Sequence, residues 1–106
     1  MLLVLELRSA TVVISFTTSK VTSEQAALVE GFLADFLPRM RSQPGVEAIY
    51  HFHDPDLGES TTVVIWRDDQ ARAAYRESDL IKEPMAFEHR LGLSSTRTAF
   101  PLTFPS

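Results

Sequence analysis

A chain of 106 residues, 44% hydrophobic and 23% charged, has the size and make-up of one globular domain spanning 1–106. A domain of this length buries roughly 65% of the surface its unfolded chain exposes, so the core is thin. Its net charge of -4 speaks against a phosphate-backbone partner, and the lack of cysteine excludes disulfides, thiolate metal sites and a cysteine nucleophile. The opening MLLVLELRSA has no basic residue ahead of its apolar run and meets Glu6 and Arg8 too early for a signal peptide. No stretch approaches the ~20 apolar residues of a membrane span. The expectation is a cytoplasmic protein with neither nucleic acid nor membrane as partner.

Leucines at 3, 5 and 7 are followed by Val12, Ile14 and Phe16, so the apolar parity flips near Ser9 and Ala10. A one-residue bulge in one long first strand accounts for this, and two separate strands are the alternative. Thr22 and Gln25 have the spacing of a capping box. Val29, Phe32, Phe36 and Met40 follow at helical intervals, with Leu28, Leu33 and Leu37 widening the stripe. Pro38 removes an amide donor, which predicts that the helix stops or kinks near Leu37. Pro44 and Gly45 turn the chain.

Residues 46–53 alternate as a strand, with Val46, Ala48, Tyr50 and Phe52 on one side and Glu47, Ile49, His51 and His53 on the other. The turn DPDLG leads into TTVVIW, where Thr62, Val64 and Trp66 face one way and Thr61, Val63 and Ile65 the other. Neither side reads as solvated, so both need cover. Asp68 is placed to cap a helix running to about Glu77. A break at Ser78 and Asp79 precedes a second helical piece with Pro84 in its first turn and Gly92 as terminator. A last strand from Thr96 to Phe104 carries Thr98, Phe100, Leu102 and Phe104 on one side, and Pro101 makes it an edge strand.

Strand, helix, strand, strand, helix, strand is the α+β, ferredoxin-like βαββαβ sandwich with a four-stranded antiparallel sheet. Its helices cloak one sheet face only. The other apolar face predicts a homodimer in which two sheets close into an α/β barrel.

Few residues stand out as chemical candidates. Trp66 reads either as a pocket wall or as plain core, and a cavity beside the indole separates the two. His51 and His53 point the same way and supply two metal ligands without a third, so no metal site is assigned. His51 is the better placed acid or base, being further from the turn. Tyr50 and Tyr75 are the phenolic donors, with Tyr75 nine residues beyond Trp66 on the covering helix. Arg72, Arg76, Glu88 and Arg90 read as solvated charges. No glycine-rich phosphate loop, nucleophile elbow or paired catalytic carboxylate occurs.

The segments QPGVEAIYHFHDP, TTVVIW, RDDQARAAYRESD and SDLIKEPMAFEHR resemble the dimeric α/β-barrel proteins related to antibiotic-biosynthesis monooxygenases, over roughly residues 12 to 104. That resemblance implies a cofactor-independent monooxygenase acting on a small aromatic or polyketide-type molecule. In such a site Trp66, His51, Tyr75 and Arg72 would be the catalytic residues, and Thr62, Val64, Phe16, Phe87 and His89 would hold the substrate. The quinone-forming branch has an asparagine four residues before the strand tryptophan and a tyrosine six after it; here these are Thr62 and Arg72. A phenolate could be held by the charge of Arg72 instead. The haem-degrading branch has a second tryptophan and an iron-ligating histidine where this chain has Tyr75 and Met85, with His89 one helical turn on. No cofactor is therefore expected. The alternative is a non-catalytic ligand-binding or stress-associated dimer whose pocket has lost its polar partners.

Overall fold

Short-range hydrogen bonding sets the element boundaries in the computed structural model, which describes residues 11–103. Thr22 Oγ1 accepts from the Gln25 amide at 3.1 Å while Gln25 Oε1 accepts from the Thr22 amide at 3.0 Å. This reciprocal cap opens α1 (Ser23–Arg41), which follows β1 (Val13–Lys20). After β2 (Val46–Asp54) and β3 (Glu59–Trp66), Asp68 Oδ1 accepts from the Ala71 amide at 2.8 Å and starts α2 (Asp69–Arg76). The chain then forms α3 (Lys82–Leu91), closed by Gly92 at φ 65°, and β4 (Ser94–Pro101). The expected break at Ser78 and Asp79 separates the last two helices.

The four strands form one antiparallel sheet in the order β2-β3-β1-β4, the ferredoxin-like arrangement. Val13 lies opposite Trp66 and Pro101, Ser15 opposite Val64 and Ala99, and Thr17 opposite Thr62 and Arg97. All of these share the face under the helices, where Val13, Val46, Val64 and Trp66 pack with Phe36 and Met40 of α1 and with Ala71, Tyr75 and Ile81. The opposite face carries Ile14, Phe16, Val63, Ile65, Tyr50, Phe52 and Phe100. Tyr50, Phe52 and Phe100 are 62%, 52% and 53% exposed there. One side of the sheet is thus core and the other is bare apolar surface, as the two-sided β3 pattern implied.

Several expectations are corrected. Val46 does not share a side with Ala48, Tyr50 and Phe52, because a bulge between Val46 and Ala48 sets Val46 opposite Trp66 and Ala48 opposite Ile65. One extra residue in β2 turns Val46 inward and leaves Glu47 exposed. Pro38 does not end α1, which continues to Arg41. Both Ala34 and Pro38 are exposed, so the Ala34 carbonyl that loses its amide partner lies on the solvent side. Leu28 is 50% exposed and lies outside the core stripe. The last strand starts two residues earlier than Thr96 and stops at Pro101, on the sheet edge. Phe104 and the proposed bulge near Ser9 and Ala10 fall outside the described residues.

Gly45 sits at φ 85° in the turn before β2, where its carbonyl accepts from the Arg67 amide at 2.7 Å. A Cβ there would overlap the Ala71 side chain. The glycine therefore lets the turn press against the first turn of α2, directly behind Trp66.

Candidate functional site

Trp66 ends β3 and is 1% exposed. Its indole N–H donates to Ser15 Oγ at 2.9 Å across the strand pair, which fixes the ring plane. The Asp68 cap sends α2 back over the sheet, bringing the Tyr75 ring to 5.5 Å from the indole at 35°. Beside this pair is a cavity of about 210 Å³. The sheet contributes Ser15, Thr17, Thr62, Val64 and Trp66; α1 contributes Leu33, Phe36, Leu37 and Met40; α2 contributes Arg72, Tyr75 and Arg76. Ile81 lies between the helices, Pro84 and Glu88 come from α3, and Arg97 comes from β4.

Arg72, Arg97 and Glu88 of this cavity are held in ion pairs. Burial pushes the Tyr75 phenol up to about 12, so it stays protonated and can donate to a ligand oxygen. Arg72 donates from Nε to Asp69 Oδ1 at 2.8 Å. Arg97 makes a two-pronged pair with Glu88, Nη1 to Oε1 at 2.9 Å and Nη2 to Oε2 at 2.6 Å, with both side chains largely buried. Two of the five guanidinium N–H donors of Arg97 are used in this pair, which leaves others for a guest. With Arg72, Arg76 and Arg97 against Glu88, the wall carries an excess of positive charge in a chain of net charge -4.

Glu88, expected as a solvated charge, is instead largely buried against Arg97, a residue that no sequence motif singles out. The pairing crosses the turn between α3 and β4, and no local pattern announces it. One signal was present: Arg97 has the same parity as Ala99, so it faces inward under the helices among small residues.

His51 does not border this cavity. It lines a second one of about 40 Å³, which shares Thr17, Leu33, Thr62, Pro84 and Glu88 with the first. His51 Nδ1 lies 3.0 Å from Thr62 Oγ1, while Nε2 is buried with no partner among the described residues. Burial lowers its pKa below the usual imidazole value, partly offset by Glu30, so the ring is neutral near pH 7. His53 is engaged elsewhere, with Nδ1 3.1 Å from the Glu59 carbonyl and 3.3 Å from Ser60 Oγ. No group of three or more His, Cys, Asp or Glu able to hold a metal occurs among the described residues.

Phe87 stacks on Phe32 at 4.3 Å and borders the smaller cavity. Phe16 borders the larger cavity from its strand, but its ring meets Phe100 at 6.3 Å on the far sheet face. His89 is exposed on α3 and lines neither cavity, and Met85 is 49% exposed. These residues do not fit a histidine-ligated haem. No histidine reaches the larger cavity, and its volume falls below the roughly 300–1,000 Å³ typical of small-molecule pockets.

Neither a family model nor a curated protein matches the sequence. Solved structures do. A candidate antibiotic biosynthesis monooxygenase from Deinococcus radiodurans superposes with a TM-score of 0.79 at 18% identity, over 89% of this chain and 95% of that one. A conserved protein from Bacteroides thetaiotaomicron, a candidate oxidoreductase, gives a TM-score of 0.76 at 10% identity, over 88% and 99%. A haem-degrading protein from Mycobacterium tuberculosis, in its haem-free form, gives 0.70 at 14% identity, over 92% and 97%. At such identities the likeness is one of architecture. The chain is thus similar, across nearly its whole length, to ferredoxin-like proteins of the antibiotic-biosynthesis-monooxygenase type.

Proposed function

We propose that this protein is a cofactor-independent, monooxygenase-like homodimer that seats a small aromatic or polyketide-type molecule beside Trp66. The observation that carries the reading is the cavity itself, since a tryptophan serving only as core would have left none. An apolar cavity of about 150 Å³ accepts benzene, so about 210 Å³ seats one substituted ring, with any larger skeleton reaching out of the mouth. Once deprotonated, an electron-rich ring would itself be the electron donor and dioxygen the acceptor. The protein would supply desolvation, a hydrogen bond from Tyr75, and offsetting charge from Arg72, Arg76 and Arg97.

The homodimer reading is supported by the bare sheet face of Phe16, Val63, Ile65, Tyr50, Phe52 and Phe100. A second copy related by a two-fold axis covers it with the same patch. A non-catalytic ligand-binding dimer is the second reading. It is favoured by Thr62 and Arg72, which stand where the resemblance places asparagine and tyrosine.

Oxygen uptake and calorimetric binding with a set of dihydroxyaromatic compounds, for the native protein and Trp66→Phe, test these readings. Uptake that collapses in Trp66→Phe supports the oxygenase. Binding without uptake supports the non-catalytic protein, and the absence of binding sinks both.

A further inference from the structure

Two cavities share a wall in which Thr62 is the residue paired with a histidine. The Thr62 side chain borders both, and its hydroxyl touches the Nδ1 of His51, a histidine that lines only the smaller space. The other ring nitrogen is buried and has no partner among the described residues, so a small molecule is needed to complete it. A site of about 40 Å³ bordered by Thr17, Ser19, Ser60 and Glu88 is roomy and polar enough for water.

We infer that Thr62 and His51 form a proton relay: the ligand's hydroxyl proton leaves the larger cavity through Thr62 to His51, and a water in the smaller cavity binds Nε2. This rests on the reading that the larger cavity takes a ring bearing an acidic hydroxyl. In the resting state Thr62 donates to Nδ1 and offers its lone pairs to the ligand. The ligand O–H bond breaks as its proton joins Thr62 Oγ1, while the original Thr62 proton moves to Nδ1. The ligand becomes an anion and the imidazole becomes imidazolium, so no net charge is created and no oxidant is needed for this step.

Burial keeps His51 neutral until a ligand proton arrives; Glu30 of α1 favours the imidazolium, and His53 of β2 opposes it. Glu88 of α3 borders the same small cavity. A neutral imidazole at pH 7 is an acceptor in waiting, whereas one already charged would have nothing to take.

The test uses full-length protein with 4-nitrophenol, whose ionised form has its own absorption band, and ¹⁵N NMR of His51. In the free protein the relay requires the Nε2–H tautomer with Nδ1 unprotonated; an Nδ1–H tautomer overturns it. On binding, detected by quenching of Trp66, the ionised band should grow together with double protonation of His51. In Thr62→Val, at probe concentrations raised until Trp66 quenching saturates, the ionised fraction of the bound probe falls by at least about tenfold and His51 stays neutral. Thr62→Ser restores both signals. Equal protonation of His51 in native protein and Thr62→Val overturns the proposal. If the probe fails to quench Trp66, the larger-cavity reading fails, and the tautomer in the free protein still decides whether the Thr62–His51 pairing stands. Amide spectra of each variant establish that it is folded.

Discussion

A tryptophan that is 1% exposed keeps its N–H in the core only if something accepts from it, and Ser15 does so at 2.9 Å. Ser15→Ala should lower stability by about 1–3 kcal/mol, read as a lower urea midpoint with an unchanged slope. An unaltered midpoint would show that the indole finds another acceptor. Tyr75 makes a second prediction. Its pKa is raised by burial from 10 to about 12, so at alkaline pH the unfolded chain releases the phenolic proton before the folded one does. Its contribution is intact below about pH 10 and is lost as pH rises towards about 12. Tyr75→Phe should flatten that part of the stability profile; identical profiles would place the phenol in solvent. Trp66 and Tyr75 were both legible, since one ends an apolar strand and the other lies on the helix that follows it. The Glu88–Arg97 pair was not, because its geometry exists only once α3 and β4 are packed.

Elements announce their ends more clearly than their pairings. The caps at Thr22 and Asp68 and the stop at Gly92 stood out because each depends on a few neighbouring residues and their own backbone. The bulge in β2 was hidden, since whether Val46 points in or out is decided by its partner Trp66 and not by its own alternation. Pro38 misled because a missing amide matters less on a solvent-facing turn than in a buried one. The two turn glycines should separate in the same way. Gly92→Ala, at φ 65° with open space around it, should cost about 1–2 kcal/mol. Gly45→Ala adds an overlap with Ala71 to a φ of 85° and should cost about 2–4 kcal/mol. Thermal or urea denaturation of the two variants checks this, and equal losses would mean that α2 shifts freely away from the turn.

At the scale of the whole molecule, the order of elements made the sheet topology legible, and the two apolar sides of β3 foretold that one would be left bare. Phe52 projects from that side at 52% exposure. If the proposed homodimer forms through this side, Phe52→Glu should halve the mass seen by light scattering while leaving far-UV circular dichroism unchanged, because a charge there is tolerated in a lone subunit and desolvated in a pair. An unchanged mass would place the contact elsewhere. The outer strands complete this picture. Pro101, the last residue of β4, offers no amide, and the extra residue at Glu47 puts a kink in β2, so each margin of the sheet carries a feature that hinders further strand pairing. In the proposed homodimer the second copy covers that apolar side, and the blunted rims leave little edge for a third to join, which would keep so greasy a sheet from running on into fibrils.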